Sequence, residues 1–232
     1  MKKLLIALML CVACGAAMAQ DARFTVVTID TARQDLALFL NDDAGAPLHG
    51  FTRLAAWLQA RNKRLVFAVN AGMYHPDFAP VGLHVQDGKQ LAPLNLEDGT
   101  GNFFLKPNGV FMLSQNGPRV VESSEYPALG KGVRLATQSG PLLLRNGVIH
   151  PAFNPASSSR YIRNGVGVVG GKAIFVISNH PVTFHEFAVF FRDNLHCKDA
   201  LYLDGSVSSL YSKELGRNDA AARLGPMLGV IE

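Results

Sequence analysis

Two polar segments follow apolar, strand-like runs in the sequence, and the ends of strands are where a folded domain commonly presents its functional groups. Asn70 follows one such run and is succeeded closely by Gly72, while Asp204 follows another and is succeeded by Gly205 and Ser206. A carboxylate at the exit of a buried strand can act as a nucleophile or as a general base. The same pattern also builds an Asx turn, in which the carboxylate only accepts backbone hydrogen bonds. Both interpretations of Asp204 stay open at this point.

Two further segments carry amides and a hydroxyl. Asn108-Gly109, directly after a proline, is by itself only a good turn signal. Gln138-Ser139-Gly140 places hydrogen-bonding side chains where an apolar strand would otherwise continue. Polar groups placed against a core cost ~1–3 kcal/mol each unless they find partners. This segment therefore predicts either a binding site or a structural hydrogen-bond network.

Three charged residues are candidates for a site. Arg163 stands immediately before a glycine-containing strand, where its guanidinium could bind a phosphate through two parallel hydrogen bonds. The alternative is a solvated surface arginine. Asp77 follows the Asn70 segment closely, and Glu186 stands three residues after Thr183 at the start of a predicted helix. Thr183 and Glu186 form a capping box, which gives Glu186 a structural role and makes catalysis the weaker interpretation.

The ionisable residues show no spacing that is typical of a metal site. His180 and His185 are five residues apart, which does not place them on one face of a helix. Cys197 has no other cysteine nearby and is best interpreted as an inert buried thiol. Phosphate-loop, dinucleotide and nucleophile-elbow motifs are missing, so we predict no cofactor. A divalent metal bound through oxygen ligands needs no linear motif and is kept as an alternative.

The elements that would position these residues are mostly short strands. Asp87-Gly88, Asn146-Gly147 and Gly170-Gly171 are dipeptides suited to tight hairpin turns. Apolar residues at helical spacing predict two helices, over 51–58 and 183–194. Further strands are predicted over 24–29, 36–40, 65–69, 103–105, 110–113, 133–136, 201–203 and 227–231. Together they predict an α+β fold: a single domain with a mixed, mostly antiparallel β-sheet and a few flanking helices.

Residues 1–19 have the pattern of a cleavable signal peptide. Lys2 and Lys3 precede an apolar run, and Ala17-Met18-Ala19 forms a small-x-small cleavage site. The apolar run is shorter than the ~20 residues that span a bilayer. We therefore expect cleavage after Ala19, a mature domain over 20–232, and a location in the periplasm or outside the cell. A lipoprotein with its lipid on Cys14 is the less favoured alternative, because Cys11 stands where such signals carry a leucine.

Charge and cysteine content limit the possible partners. The chain carries 22 basic and 18 acidic residues, and signal cleavage would remove Lys2 and Lys3. Basic runs never exceed two residues, so we expect no nucleic-acid partner and no stable membrane insertion of the mature protein.

Only one cysteine, Cys197, would remain after signal cleavage, which leaves no internal disulfide. A mature chain of roughly 210 residues can bury a core that is large enough to stabilise the domain without disulfides. No pattern predicts an oligomeric state.

Five motifs occur in order along the chain and are more specific together than singly. They are Asn70-Ala71-Gly72-Met73-Tyr74, Lys106-Pro107-Asn108-Gly109-Val110-Phe111, Gln138-Ser139-Gly140-Pro141, Arg163-Asn164-Gly165-Val166-Gly167 and Leu203-Asp204-Gly205-Ser206. This set resembles the phosphodiester glycosidase family, which includes the animal lysosomal uncovering enzyme, and is similar above all to its small exported bacterial members. Residues 205–209 depart from the family, because many relatives carry a run of glycines there, so substrate preference does not carry over.

The resemblance implies a hydrolase that cleaves the glycosidic C–O bond of a sugar-1-phosphodiester in an envelope or exported glycan. It implies that Asp204 is the nucleophile or base and that Arg163, assisted by backbone amides near Gly140 and Gly165, binds phosphate. The implied substrate-binding set is Asn70, Gly72, Asn108, Gly109, Gln138, Ser139, Gly140, Arg163, Gly205 and Ser206. A second carboxylate would be Asp77, Asp98 or Glu186, and the sequence does not choose among them.

Two other functions fit the same residues. The first is a non-catalytic periplasmic protein that binds a glycan or a phosphate on the same scaffold. The second is a phosphodiesterase that cleaves the P–O bond instead of the C–O bond. In each case the expected partner is a small molecule or glycopolymer that contains sugar phosphate.

Overall fold

The computed structural model describes residues 21–219 and 222–232, so the predicted signal peptide lies outside the described residues. The strands are, in chain order, β1 (Phe24–Ile29), β2 (Asp35–Phe39), β3 (Leu65–Asn70), β4 (His84–Gln86), β5 (Lys89–Ala92), β6 (Gly109–Ser114), β7 (Gly117–Glu122), β8 (Val133–Ser139), β9 (Leu142–Arg145), β10 (Val148–Ile149), β11 (Asn164–Val169), β12 (Lys172–Ser178), β13 (Ala200–Tyr202), β14 (Leu210–Ser212), β15 (Arg217–Asn218) and β16 (Met227–Ile231). The helices are α1 (Phe51–Gln59), α2 (Tyr126–Leu129) and α3 (Phe184–Val189), the last continuing as a π-helical turn over Phe190–Asn194.

The strands form three sheets rather than the one that we expected. Their orders are β1-β12-β11-β13-β9-β10, β15-β14-β3-β16-β2 and β5-β4-β8-β6-β7. Every strand pair in the described residues is antiparallel. The α+β class and the single domain are confirmed.

The three predicted hairpins are present because their turns can adopt left-handed backbone angles. Asp87-Gly88 joins β4 to β5 with φ values of 51° and 77°. Asn146-Gly147 joins β9 to β10 with φ values of 52° and 79°. Gly170-Gly171 joins β11 to β12 with φ values of 55° and 75°. Positive φ at both central residues matches the turn to the right-handed twist of the strands.

One aromatic side chain shows how the sheets share a core. Phe175, on β12 of the first sheet, is 1% exposed. Its ring centroid lies 5.3 Å from that of Phe67 on the second sheet and 5.8 Å from that of Phe111 on the third. The sheets therefore enclose a common apolar core. The helices cover outer faces: α1 buries Phe51, and α3 buries Phe187.

The strand predicted over 103–105 is wrong. Asn102–Phe104 forms a single 3₁₀ turn with the Phe103 side chain buried. The Asn108 Nδ2 donates to the Phe103 carbonyl at 2.8 Å, so that carbonyl is bonded locally rather than to a neighbouring strand. No helix in the described part of the chain is long and apolar enough to cross a bilayer.

His84 makes the stability of this fold depend on pH. The side chain on β4 is 0% exposed, and neither ring nitrogen has a hydrogen-bond partner among residues 21–219 and 222–232. Burial, partly opposed by the Gln86 side chain, lowers its pKa from 6.5 to about 4. A lowered pKa stabilises the fold above the unfolded value, and this contribution is lost as pH falls from 6.5 towards 4. We expect the free energy of unfolding to drop by up to about 3 kcal/mol over that interval because of this residue.

Urea unfolding at several pH values measures this effect. His84→Leu should flatten the acid dependence, since it removes the titrating group from an apolar site. His180→Leu is the matched control, because His180 is exposed, and it should keep the wild-type slope. Identical slopes for wild type and His84→Leu would show that another group controls the acid sensitivity.

Candidate functional site

The ends of three strands meet at one end of the core and are joined by the side chain of Asn70. This residue ends β3 and is 1% exposed. Its Nδ2 donates to the Asp204 carbonyl at 2.7 Å, and its Oδ1 accepts from the Ser209 backbone N–H at 2.9 Å and from Asn164 Nδ2 at 2.9 Å. Asn70 thus fixes the loop that carries Asp204 and has little hydrogen-bonding capacity left for a ligand.

The side chain of Asn164 continues this network at the start of β11. Its Oδ1 accepts from Ser208 Oγ at 3.0 Å. Its backbone carbonyl accepts from the Leu203 N–H at 3.0 Å, next to Asp204. Two asparagines therefore hold the β13 exit in place from two different sheets.

Asp204 directly precedes the Gly205 turn and has a partly satisfied carboxylate. It is 9% exposed, its backbone N–H donates to the Ala71 carbonyl at 3.1 Å, and its Oδ1 accepts from the Ser206 N–H at 3.2 Å. Burial raises the pKa of this carboxyl above its ordinary value. The residue caps a short 3₁₀ turn over Gly205–Val207, so the Asx-turn interpretation describes its backbone correctly. Its second oxygen has no hydrogen bond among the described residues.

Arg163 is buried to 1% exposure beside this turn. Its Nε donates to the Val182 carbonyl at 2.9 Å, its Nη2 to the Ser159 carbonyl at 3.2 Å, and its Nη1 approaches Tyr202 Oη at 3.4 Å. The guanidinium forms no ion pair with a carboxylate in the described residues. The residues outside them contain no Asp or Glu. Burial lowers the pKa of Arg163 from 12.5, as expected for a desolvated cation.

A stack of aromatic rings packs against the guanidinium of Arg163. Arg163 Cζ lies 3.6 Å from the ring centroid of Phe184. Phe184 stacks on Phe153 at 4.8 Å and 7°, and Phe153 stacks on His150 at 4.8 Å and 24°. The edge of Tyr202 meets Phe184 at 4.7 Å and 77°. The quadrupole of an aromatic face attracts a cation, so Phe184 compensates part of the charge burial.

Two cavities that share Tyr161, Gly205 and Ser206 in their linings lie beside these groups. The first, which we call the arginine cleft, has a volume of about 390 Å³ and is lined by Asn102, Ser159, Tyr161, Arg163, Phe184, Tyr202, Gly205 and Ser206. The second, which we call the serine groove, has a volume of about 500 Å³ and is lined by Tyr161, Ile162, Gly205, Ser206, Val207, Ser208, Ser209 and Ala222. Both volumes lie in the range of roughly 300–1,000 Å³ that is typical of small-molecule sites.

The predicted amide Gln138 hydrogen-bonds to neighbouring loops, whereas in the described part of the chain the hydroxyl of Ser139 next to it does not. Gln138 Oε1 accepts from the backbone N–H groups of Leu83 at 3.0 Å and Asn95 at 2.9 Å, and its Nε2 donates to the Asn95 carbonyl at 2.6 Å and to Ser123 Oγ at 3.0 Å. Its side chain is 1% exposed and crosslinks the chain, which is the structural network that the sequence also allowed. Ser139 is 0% exposed, and its Oγ has no partner in the described residues.

Four predicted glycines allow close packing. A Cβ added to Gly205 would lie 1.5 Å from Tyr202 Oη, and one added to Gly72 would lie 2.3 Å from the Gln138 carbonyl oxygen. A Cβ added to Gly140 would lie 2.6 Å from the Phe103 carbonyl oxygen. One added to Gly109 would lie 2.5 Å from Leu142 Cδ2. Gly205 therefore lets the β13 exit turn across the Tyr202 ring into the cleft.

The candidate second carboxylates lie in other hydrogen-bonding environments and line neither cavity. Asp77 is exposed in an Asx turn, with Oδ1 accepting from the Ala79 N–H at 3.0 Å. Asp98 is exposed and forms an ion pair with Lys106 at 2.6 Å. Glu186 accepts from the Thr183 N–H at 2.8 Å, as the capping box predicted. It also forms two hydrogen bonds, of 2.8 and 3.0 Å, with the Arg160 guanidinium. These bonds lower the pKa of Glu186.

Comparison with known proteins decides the family. The family model described as "Phosphodiester glycosidase" matches residues 63–231, which include the site and most of the described chain. The chain belongs to the phosphodiester glycosidase family. An uncharacterised protein of Escherichia coli K12, YigE, is 37% identical over 174 residues, which cover 75% of this chain and 66% of that protein.

A solved structure has the same fold as this chain. It is the catalytic domain of zebrafish N-acetylglucosamine-1-phosphodiester alpha-N-acetylglucosaminidase, auto-inhibited by its pro-peptide. The match has a TM-score of 0.60 and 13% sequence identity, and it covers 92% of this chain and 85% of that one. At this identity the likeness concerns the fold.

Sequence reasoning missed several residues that line the arginine cleft. Tyr202 and Phe184 look like core residues, because each lies on an apolar strand or helix face. Tyr161, Ser159 and Asn102 lie in loops, where no periodicity marks them. Of these three loop residues, only Tyr161 could have been indicated by the sequence, because it lies two residues before Arg163. Within the described residues, no group of three His, Cys, Asp or Glu side chains could hold a metal ion.

The Asn70 network generates a stability prediction. Asn70→Ala should lower the free energy of unfolding by about 2–4 kcal/mol, because it leaves the buried Ser209 N–H, Asn164 Nδ2 and Asp204 carbonyl unpaired. Chemical denaturation measures the change.

Asn179→Ala is a matched control. Its side chain also makes three contacts, with Thr25 Oγ1 at 2.9 Å, Arg217 Nη1 at 3.1 Å and the Ala22 carbonyl at 3.0 Å, but it is exposed. Water can replace those bonds, so we expect a loss below about 1 kcal/mol. Equal losses in both variants would contradict the role given to Asn70.

Proposed function

We propose that this phosphodiester glycosidase hydrolyses a sugar-1-phosphodiester and breaks the C–O bond between the anomeric carbon and the phosphate. The observation that carries the proposal is the buried, carboxylate-free guanidinium of Arg163 facing a cleft beside Asp204. The family supports a glycosidase-type enzyme. The name of the zebrafish enzyme specifies an N-acetylglucosamine-1-phosphodiester, which is the bond type proposed here.

Arg163 binds the phosphate in this proposal. A guanidinium has five N–H donors, and three of them point to the Val182 and Ser159 carbonyls and to Tyr202 Oη. Two donors remain for the paired oxygens of a phosphate. A diester phosphate carries one negative charge, which would neutralise the buried cation without leaving an excess charge in the cleft.

Asp204 acts on the sugar in this proposal. Its free carboxylate oxygen either attacks the anomeric carbon or removes a proton from the attacking water. The C–O bond breaks, and the phosphate monoester leaves with the bonding electrons. A phosphate monoester is a weak base, so departure needs little help from a strong acid. Among the described residues, neither cavity has a carboxylate in its lining, and Asp204 adjoins both through the next residue, Gly205. The chemistry proposed here needs no second carboxylate.

We place this activity in the periplasm or outside the cell. The signal-peptide pattern of residues 1–19 supports export to the periplasm or beyond. The substrate would then be a sugar phosphate within an envelope or exported glycan. The proposed steps use only the chain's own residues.

One observation also favours a non-catalytic protein that binds a glycan or phosphate. Among the described residues, neither cavity is lined by a carboxylate, and Asp204 only adjoins them through Gly205. Arg163 alone would suffice to bind a phosphate, so turnover has to be measured directly.

Hydrolysis of a chromogenic sugar-1-phosphodiester tests the proposal, with Asp204→Asn as the variant. We expect wild-type turnover and a loss of at least about 10²-fold in kcat in the variant. Because burial raises the pKa of Asp204, its ionised form destabilises the fold, so Asp204→Asn should unfold at the same or a higher temperature at neutral pH. In a pH profile of kcat/KM, the acid limb should lie above pH 3.8, the ordinary pKa of an aspartate carboxyl, because burial raises the pKa of Asp204.

Hydrolysis in ¹⁸O-labelled water identifies the bond that breaks. C–O cleavage places the label in the released sugar. Label in the phosphate would mean P–O cleavage and a phosphodiesterase. Ligand binding with no turnover in wild type would leave the binding protein as the function.

Arg163→Lys tests the phosphate-binding role. Lysine keeps the charge but loses the planar fork and the stack on Phe184, so kcat/KM should fall by about 10- to 100-fold. The control is Arg145→Lys, because Arg145 is part-exposed on the β9–β10 hairpin and pairs with Glu125 at 2.8 Å, away from both cavities. A wild-type kcat/KM in Arg163→Lys would contradict the assignment.

A further inference from the structure

We propose that Tyr202 is a further catalytic residue, whose hydroxyl donates a hydrogen bond to the oxygen that bridges the anomeric carbon and the phosphorus. This inference rests on the proposed function and deepens it, because it names the group that stabilises the leaving oxygen. Tyr202 ends β13 and stands two residues before Asp204 in the chain. Its side chain is 2% exposed and lines the arginine cleft.

The Tyr202 hydroxyl has a proton that no other group accepts among residues 21–219 and 222–232. The one hydrogen bond of this hydroxyl there comes from Arg163 Nη1, at 3.4 Å. A guanidinium carries donors and no acceptor, so the tyrosine oxygen accepts in this contact and its O–H stays free. A buried O–H without an acceptor is costly, and buried tyrosines usually find a partner. The Tyr202 O–H is therefore available to an oxygen of a ligand in the arginine cleft.

The hydroxyl lies between the two groups that act on the substrate. On one side is Arg163, which holds the phosphate in the proposed function. On the other side is the turn that Asp204 caps, because a Cβ added to Gly205 would lie 1.5 Å from Tyr202 Oη. Burial raises the pKa of Tyr202, and the nearby charge of Asp204 adds to that rise.

The scissile linkage has the same order of parts. Its bridging oxygen lies between the phosphorus and the anomeric carbon. A phosphate bound at Arg163 and an anomeric carbon at Asp204 therefore bring the bridging oxygen next to Tyr202 Oη. The non-bridging oxygens are left to the two free donors of the guanidinium.

Packing fixes the direction of the Tyr202 ring. The ring of Phe184 meets it at 4.7 Å and 77°, and the Tyr202 backbone N–H donates to the Pro141 carbonyl at 3.1 Å. Gly205 has no side chain that could displace the hydroxyl. A donor that is held in place before the reaction needs no reorganisation when charge develops, so it stabilises the transition state more than water would.

The hydroxyl donates a hydrogen bond and keeps its proton. As the C–O bond breaks, its electrons move to the bridging oxygen, which becomes one of the oxygens of the departing phosphate monoester. The Tyr202 O–H stabilises the charge that develops there. Burial, partly opposed by Arg163, raises the pKa of Tyr202 to about 12, whereas the second pKa of a phosphate monoester is about 6. The proton therefore stays on the tyrosine throughout.

Two substrates test this inference. One is a sugar-1-phosphodiester with its bridging oxygen, and the other carries sulfur at that position and is otherwise identical. Sulfur is a weak hydrogen-bond acceptor. Tyr202→Phe keeps the ring and removes only the hydroxyl. It should lower kcat on the order of 10²-fold for the oxygen-bridged substrate and about threefold or less for the sulfur-bridged one.

Tyr126→Phe is the matched control. Burial raises the pKa of Tyr126 as well, but this tyrosine begins α2 and lines neither the arginine cleft nor the serine groove. Its kcat should equal that of wild type for both substrates. The unfolding temperature of each variant shows whether a loss of activity comes from a damaged fold.

The outcomes separate this inference from the proposed function. Equal losses for the two substrates in Tyr202→Phe would mean that the hydroxyl acts through Arg163 or on a non-bridging oxygen, and would overturn the inference. An unchanged kcat for the oxygen-bridged substrate would overturn it too. Both results leave the hydrolase intact, whereas the proposed function fails if wild type hydrolyses neither substrate.

A binding measurement decides the inference where wild type does not hydrolyse the sulfur-bridged compound. Both compounds are titrated calorimetrically into Asp204→Asn, with and without Tyr202→Phe. Tighter binding of the oxygen-bridged compound, with the difference lost in the double variant, supports the inference. Equal binding of the two compounds in Asp204→Asn overturns it.

Discussion

The site depends on one electrostatic constraint, which is that a guanidinium is buried without a carboxylate to neutralise it. Removing a charge from water costs several kcal/mol even in a relaxed protein. At Arg163 the compensation comes from two backbone carbonyls, the Tyr202 hydroxyl and the face of Phe184. These groups stabilise the cation without cancelling its charge. The cleft therefore retains a positive charge that an anionic ligand can neutralise. An arginine already paired with a carboxylate could not offer this.

The architecture explains how such an arrangement stays rigid. Asn70 and Asn164 belong to different sheets, and their amides bond to each other and to the turn that carries Asp204. The sheets in turn share the core around Phe175. A displacement of Asp204 relative to Arg163 would break buried hydrogen bonds and disturb apolar packing together. Buried hydrogen bonds and apolar packing thus hold Asp204 and Arg163 in place relative to each other.

Sequence patterns predicted the local structure well, because turns and helices depend on neighbouring residues. The Asn-Gly and Asp-Gly hairpins and both main helices are where periodicity and turn chemistry place them. Patterns also marked Arg163 and Asp204 as polar residues at strand ends. They could not show that Gln138 satisfies its amide against Asn95 and Ser123, whereas Ser139 next to it has no partner. Which polar group is satisfied internally depends on contacts between residues distant in sequence, as does the use of Phe184 to support a charge.

The electrostatics of the two charged residues suit the singly charged phosphodiester that we propose as the ligand. Burial raises the pKa of Asp204 and lowers that of Arg163, so burial disfavours both ionised forms. Direct pairing of the two would relieve both penalties, yet they form no ion pair, and the Asp204 carboxylate bonds to the Ser206 amide instead. Keeping opposite charges apart costs stability and leaves each one free to act on a different part of a substrate. A phosphodiester fits this separation, because its anion can meet the arginine while its neutral anomeric carbon meets the carboxylate.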